Sequence, residues 1–299
     1  MKIATWNIYW LGDRHGEHIV RTPEDEGLIA QVIENLSPDV LALEEVVDPL
    51  VMERVLGRVN GPGRNYVIRT SPNAWLSSHR DPTDVQDAFQ KVFLCINTET
   101  IEFIRGAAIR GGPGRKPYAA VLRHRPSDRE FVAVVAHLRA GYPEFLNVHE
   151  AGVRRQEAAS LSRWLRGEAQ AAQDNPNFPR PGLDEVVVLG DFNAQIDDPN
   201  QSLDPLREGA LTDWMWDRPR PDGARWETAI YNGDRLVIDF IMLSPAMAQS
   251  VVEPPAIYAW DQDPSLGGPT QFHEGPNGSG DLRGYGVSDH RPIYTKIDF

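Results

Sequence analysis

A single cysteine in 299 residues excludes a disulfide framework. Cys95 sits inside the apolar run KVFLCIN and reads as a small buried hydrophobe. No apolar stretch approaches the roughly 20 residues of a bilayer-spanning helix, so no membrane partner is expected. The opening residues MKIATWNIYWLGD are too short and, at Asn7, too polar for a secretory signal, so a cytoplasmic location is expected. Positive charge is scarce: 30 Lys and Arg stand against 43 Asp and Glu, a formal net charge of −13. A protein that coats nucleic acid generally is normally basic, so that class is excluded and any polyanion must be met by a local patch. Repeats and low-complexity tracts are absent. The hydrophobic content, 41%, supports a large core, and we expect one domain over residues 1–299, acting as a monomer.

Short apolar runs recur between loops: KIATWNIYWL, DVLALEEV, NYVIRT, KVFLCIN, YAAVLRH, EFVAVVAHL, EVVVLGDF, VIDFIML and RPIYTKI. They read as strands. Helical spacing falls between some of them. Leu28, Ile29, Val32, Ile33 and Leu36 predict a helix over 24–36, stopped by Ser37-Pro38, and Ala158, Leu161, Trp164 and Leu165 predict a longer one over 147–173. Many strands with few helices suggest two packed sheets flanked by helices, a layered α/β architecture. Pro and Gly cluster at 111–117, 176–182, 218–223 and 264–286, which read as surface loops.

The run VVVLGDFN ends in Asp191 and Asn193. In an extended strand, positions i and i+2 point the same way, so the two can converge on one object beyond the strand while Phe192 packs oppositely. A tight turn is the plainer reading of GDFN. Other strands share the feature. ATWNIYW holds Asn7 among apolar neighbours, where an unpartnered amide costs a few kcal/mol. DVLALEEV ends in Glu44 and Glu45, which alternate faces, so that at most one should enter any given crevice. VIDFIML holds Asp239, and GVSDHRPIY places Asp289 and His290 at the mouth of the last strand. Five strands carrying polar groups where packing favours hydrocarbon describe a site. Carboxylate and amide oxygens without thiolates suit Mg²⁺ or Mn²⁺ better than zinc. His137, in VAHLRA, and His290 supply donors or proton shuttles near neutral pH. That combination suits phosphoester hydrolysis.

The set WN, LEEV, AHL, GDFNA, IDFIMLS and SDHRPI, in this order over residues 6–292, resembles the endonuclease/exonuclease/phosphatase superfamily, whose members are similar to deoxyribonuclease I. The resemblance implies a four-layered α/β sandwich of two mostly antiparallel sheets flanked by helices, with a divalent-metal site where the loops of the two sheets meet. It implies that Asn7 and Glu45 lie at the metal, with Glu45 the principal ligand, and that Asp289 lies near it or at a second metal position. It further implies that Asp191 and Asn193 orient water and phosphate, that His290, paired with Asp239, contacts the scissile phosphate, and that His137 contacts the same group from the other side. The family usually has Gln where this chain has Glu44. Asp191 and His290 both remain candidates for the base that takes a proton from water.

Two further features bear on substrate. Arg105, Arg110, Arg115, Lys116, Arg123, Arg125 and Arg129 form a basic island relieved by one acid, Asp128. It reads either as a solvated hairpin face or as a phosphate-backbone contact in which Arg110, Arg115 and Lys116 take part, with Gly111, Gly112 and Gly114 allowing close approach. Trp75, Trp214, Trp216, Trp226 and Trp260 lie in or near loops and could stack on a base, although core packing is the commoner role. The leading expectation is a Mg²⁺- or Mn²⁺-dependent phosphodiesterase, a nuclease with DNA as partner. The runner-up is a phosphoesterase for a small molecule or lipid headgroup, and a third class is a non-catalytic binding module.

Overall fold

The computed structural model describes residues 1–11, 22–70, 91–113, 115–140, 148–195, 199–208, 211–213, 226–231, 234–263, 266 and 287–299. Trp75, Trp214, Trp216 and nearly all of the 264–286 loop lie outside the described residues. One sheet joins β1 (Lys2–Leu11), β2 (Val40–Val46), β3 (Tyr66–Arg69), β4 (Lys91–Asn97), β13 (Val251–Ile257) and β14 (Ile293–Ile297), in the order β13-β14-β1-β2-β4-β3. The other joins β5 (Ile101–Ala108), β6 (Tyr118–His124), β7 (Arg129–His137), β8 (Val186–Asp191), β9 (Thr212–Asp213) and β12 (Asp239–Leu243), in the order β5-β6-β7-β8-β12-β9. A small hairpin, β10 (Ala229–Tyr231) and β11 (Asp234–Leu236), stands apart.

Strand alternation builds the layers. Ile3, Val40, Ala42, Val135, Val187, Leu189, Ile241 and Ile293 meet in a core between the sheets. The opposite faces of the first sheet, with Ala4, Trp6, Leu41 and Leu43, pack on α1 (Pro23–Leu36) and α2 (Pro49–Val59). The opposite face of the second, with Val134, Val188, Phe192 and Phe240, packs on α3 (Val148–Leu165) and α4 (Ala169–Asp174). The result is helix, sheet, sheet, helix: four layers, each fully buried Leu or Ile contributing about 1.5–3 kcal/mol.

Each sheet is antiparallel except for one pair, β1 with β2 and β7 with β8. A parallel pair puts two carboxyl ends side by side. Consequently Asn7 stands opposite Glu44, and His137 opposite Asp191, with Asp239 on the other side of Asp191.

The helix expected over 24–36 is α1, opened by a capping box between Thr22 and Asp25 and closed by Ser37 at φ 45°. The helix expected over 147–173 is interrupted: Gly167, at φ 68°, separates α3 from α4. Five strands have no clear sequence signal: β9, β10 and β11, which at two or three residues are too short to show a pattern, and the longer β5 and β13. The last two are edge strands, where half-exposed residues blur the apolar pattern, and β13 tolerates Pro254-Pro255 for the same reason. Among the described residues no helix is long and apolar enough to cross a membrane.

Candidate active site

Asn7, Glu44, His137, Asp191 and Asp239 all continue the face of their strands that points between the sheets. Deeper in the sandwich this face is hydrocarbon; at one end it becomes polar, and the five side chains are 0–4% exposed. Burial of so many polar groups is tolerable only because they partner one another.

Asn7 is the bridge between the sheets. Its Nδ2 donates to Asp191 Oδ2 at 2.9 Å and to Glu45 Oε1 at 3.2 Å, while its Oδ1 accepts from Tyr9 N at 3.0 Å. The amide oxygen is thus turned to backbone, and the amide nitrogen orients two carboxylates. Asp191 Oδ1 accepts from Asn193 N at 2.8 Å, and Asn193 sits at φ 51° with its Nδ2 donating to Leu138 O at 3.0 Å. Asp191 and Asn193 therefore do meet, but through an Asx turn at the strand end, as the plainer reading of GDFN had it, and not through strand alternation. Gly190, at φ 142°, is required here: a Cβ would lie 1.8 Å from Ala136 O.

The alternation expected of Glu44 and Glu45 is also broken. The ladder of β2 is irregular between Leu43 and Val46, and Glu45 sits at φ 58°. Both carboxyls consequently reach the same cluster. Glu44 Oε1 accepts from Thr5 Oγ1 at 2.9 Å. Burial, reinforced by repulsion from Asp239 and Asp191, holds Glu44 well above the ordinary carboxyl range. Glu45 is raised to about 7 by burial and then by Asp289, against the opposing pull of Arg115 and Asn7.

The two histidines are driven in opposite directions. His290 Nδ1 lies 2.8 Å from Asp239 Oδ2, and its Nε2 is 3.8 Å from Asp289 Oδ1. Burial alone would lower its pKa, but Asp239, Asp289 and Asp191 outweigh burial and hold it well above the usual imidazole value. His137 goes the other way. Burial, then Arg115 and His290, hold its pKa well below the usual imidazole value, and its Nε2 accepts a hydrogen bond from Arg115 Nη1. The same nitrogen is 3.6 Å from Asp191 Oδ2 and 3.7 Å from Glu45 Oε1. Asp191 itself is raised to about 6, by burial first and Asp239 second.

His290 is held on every side. Its carbonyl accepts from the indole nitrogens of Trp6 and Trp260 at 3.0 and 3.1 Å. Its backbone N donates to Ser288 Oγ at 3.0 Å, and that hydroxyl donates to Asn7 O at 2.6 Å. Thr228 Oγ1 accepts from Ile238 N and Asp239 N at 3.1 and 3.2 Å, and Thr228 O accepts from Arg291 N at 2.7 Å, tying the two partners' strands together. Trp260 is thus a core residue that fixes the site, while Trp226 packs half-buried against the inter-sheet core.

The basic island divides. Arg123, Arg125 and Arg129 lie at the far turn of β5, β6 and β7, paired with Asp128 and Glu130 of the same hairpin and with Glu102 and Glu185, which are remote in sequence. This half is a solvated face. Arg105 lies over the Phe178 ring. Arg115 reaches the cluster, while Arg110 and Lys116 lie on the stretch between β5 and β6, close enough together that Arg110 adds to burial in lowering Lys116. Sequence reasoning missed Thr5, Thr228, Ser288 and Glu157, small or helical residues whose partners are distant in sequence.

The cluster fits a divalent cation. Glu45, His137 and Asp191 bring ligand atoms within 4.8 Å of one another, as do Asp191, Asp239 and His290. Glu45 Oε2 and Asp239 Oδ1 are buried without a hydrogen-bond partner among the described residues, and a hard oxygen donor left so is suited to a cation.

The model of the Endonuclease/Exonuclease/phosphatase family matches residues 4–290. Nocturnin of Drosophila melanogaster is 27% identical over 208 residues, 67% of this chain; the chain spans 29% of that relative's length. Among solved structures, the human Nocturnin catalytic domain with bound sulfate has a TM-score of 0.59 at 19% identity, covering 100% of this chain and 94% of that one. A TDP2 structure from D. rerio complexed with a single-strand DNA product gives 0.62 at 14%, covering 100% and 99%. A mannosyl-6-phosphatase of Bacteroides thetaiotaomicron gives 0.58 at 13%, covering both chains fully. At these identities the structural likeness is one of fold.

Proposed function

The chain belongs to the endonuclease/exonuclease/phosphatase family, and on that premise we propose that it is a Mg²⁺- or Mn²⁺-dependent phosphodiester hydrolase acting on nucleic acid, DNA first. The observation that carries the hydrolytic reading is the pair of imidazoles on either side of Asp191, His290 raised by its carboxylate neighbours and His137 lowered by burial. Glu45, with Asp289 beside it, would hold the cation, oriented by Asn7; when bound, the ion supplies charge neutralisation at the phosphate and a more acidic water.

The remaining roles follow from the protons. Asp191, with a pKa of about 6, is ionised at neutral pH and close enough to it to act as the general base toward water, with Asn193 N–H and Asn7 Nδ2 fixing both its oxygens. His290, protonated and held by Asp239, donates from Nε2 to the charge that develops on the phosphoryl oxygens. Of the two candidates for the base, the protonated histidine is the poorer one. His137, being neutral, supplies no charge; it holds Arg115, whose guanidinium meets the phosphate.

DNA is favoured by Arg110 and Lys116, neighbouring cations on the same β5–β6 connection that carries Arg115 and suited to flanking phosphates. The TDP2 relative with bound DNA product supports the same reading. A phosphoesterase for small phosphates is the second reading, supported by the net charge of −13 and by the sugar-phosphate-directed relative. Chelator-sensitive cleavage of single-stranded or duplex oligonucleotides in Mn²⁺ is the expected result. Release of inorganic phosphate from small monoesters, with oligonucleotides left intact, would replace the first reading by the second.

A further inference from the structure

Glu157 lies in the middle of α3, on the outer layer of the sandwich, and is 2% exposed. Packing alone would place hydrocarbon there, since neighbouring Ala158 and Leu161 belong to the core between α3 and the sheet. Its carboxylate instead accepts two backbone N–H groups from different parts of the chain. Oε1 accepts from Arg115 N at 2.6 Å and Oε2 from Arg139 N at 2.8 Å. One donor belongs to the loop that enters β6, the other to the segment that leaves β7 two residues after His137.

Those two backbone points are joined a second time by the Arg115 side chain. Its Nη1 donates to Leu138 O at 3.0 Å and to His137 Nε2. Glu157, Arg115 and the stretch 137–139 thus form a closed ring of hydrogen bonds, in which the carboxylate fixes the backbone from which the guanidinium projects and the peptide on which it rests. The other end of the loop is held in the same way. Asn175 accepts from Arg110 N at 2.7 Å and donates to Arg110 O at 3.1 Å, and Gly111, at φ 113°, passes so close that a Cβ would lie 3.0 Å from Ser160 Oγ. A glycine-rich loop has many conformations to lose, and a side chain with four rotors on such a loop is placed only if the backbone beneath it is held.

We propose that Glu157 is a positioning residue that presents the Arg115 guanidinium to the substrate phosphate and locks it to the strand end bearing His137. The inference rests on the reading of Arg115 as a phosphate contact. Glu157 acts through Arg115 and touches no reacting atom. Its nearest relation to the chemistry is electrostatic: the charge it places is one of those that lower Glu45 and His137.

The test is a double-mutant cycle with bis(4-nitrophenyl) phosphate and Mn²⁺, a probe whose hydrolysis needs no nucleic-acid binding. Glu157→Gln keeps the shape but sets an NH₂ group against one of the two N–H donors; Glu157→Asp keeps both acceptors, shortened by one methylene, and serves if the first variant folds poorly. A lost charged contact to phosphate is expected to lower kcat/KM about tenfold or more in Arg115→Gln. Glu157→Gln should approach that loss, Glu157→Asp should fall between, and either change added to Arg115→Gln should cost less than about twofold, as for residues acting as a unit. The melting shift produced by Mn²⁺ should be unchanged in the Glu157 variants. Equal multiplicative losses with and without Arg115, or a lowered melting temperature with kcat/KM intact, would show that Glu157 only stabilises the fold and would overturn the proposal. If Arg115→Gln itself leaves kcat/KM unchanged, the role of Arg115 fails, and the positioning role fails with it.

Discussion

Replacing Asp239 by Asn removes one charge from the middle of the buried cluster while preserving volume, and it should move two ionisations in the same direction. Asp239 is the strongest of the influences that raise His290, through a 2.8 Å hydrogen bond between groups that are 1% and 6% exposed. A hydrogen bond to a charged group contributes about 1.5–3 kcal/mol, and one pH unit corresponds to about 1.4 kcal/mol, so His290 should fall by about 1–2 units. Asp239 is also the second cause, after burial, of the raised pKa of Asp191. Burial is untouched by the substitution, so Asp191 should fall by less than about one unit. In the proposed mechanism Asp191 must be ionised and His290 protonated. The alkaline limb of the pH–rate profile for kcat/KM should therefore move toward acid by about 1–2 units and the acid limb by less, narrowing the bell. Rates on a phosphodiester from pH 5 to 10, with ¹⁵N-histidine chemical shifts to follow the rings directly, would measure both movements. An alkaline limb that stays in place while the His290 shifts move would refute the assignment of His290 as the proton donor; limbs moving apart would refute the shared electrostatics.

Three removals of partners or ligands extend the argument to stability and substrate. Glu45 and Asp191 have folded pKa values of about 7 and about 6, above the ordinary carboxyl range, so each stabilises the fold while protonated and loses that contribution as pH rises through those values. Mn²⁺ or Mg²⁺ binds the ionised carboxylates; the melting temperature measured in excess cation over excess chelator should rise more at pH 7.5 than at pH 5.5, and a shift equal at both would count against this site. Glu45→Gln should abolish most of that shift. Arg110 and Lys116 converted together to Gln should reduce the logarithmic salt slope of oligonucleotide binding by about 1.4–1.8, at about 0.7–0.9 per contact, with little effect on bis(4-nitrophenyl) phosphate; Arg123 and Arg125, already paired with acids, should change the slope little, and the reverse ranking would move the nucleic-acid surface elsewhere.

Alternation and turn chemistry are local, and what depends on them was readable in the chain: the nine apolar strands, the α1 helix with its stop at Ser37-Pro38, and the polar residues at strand ends. The family resemblance carried the pairing of Asp239 with His290 and the four layers. Three things needed the tertiary structure. Edge strands β5 and β13 are half exposed, so their neighbours, more than their own pattern, make them strands. Glu44 and Glu45 reach one cluster because a ladder irregularity and a positive φ override period-two alternation, which no reading of a linear pattern anticipates. The basic island is a single run in sequence but two places in space, because the acids that neutralise Arg123, Arg125 and Arg129 include Glu102 and Glu185 from other strands and loops, while Arg115 is carried to His137 by a carboxylate on α3. Charge states follow the same division. Residue types determine which groups can titrate; burial and the order of strands across the two parallel pairs decide that His290 and Glu44 are raised and His137 is lowered.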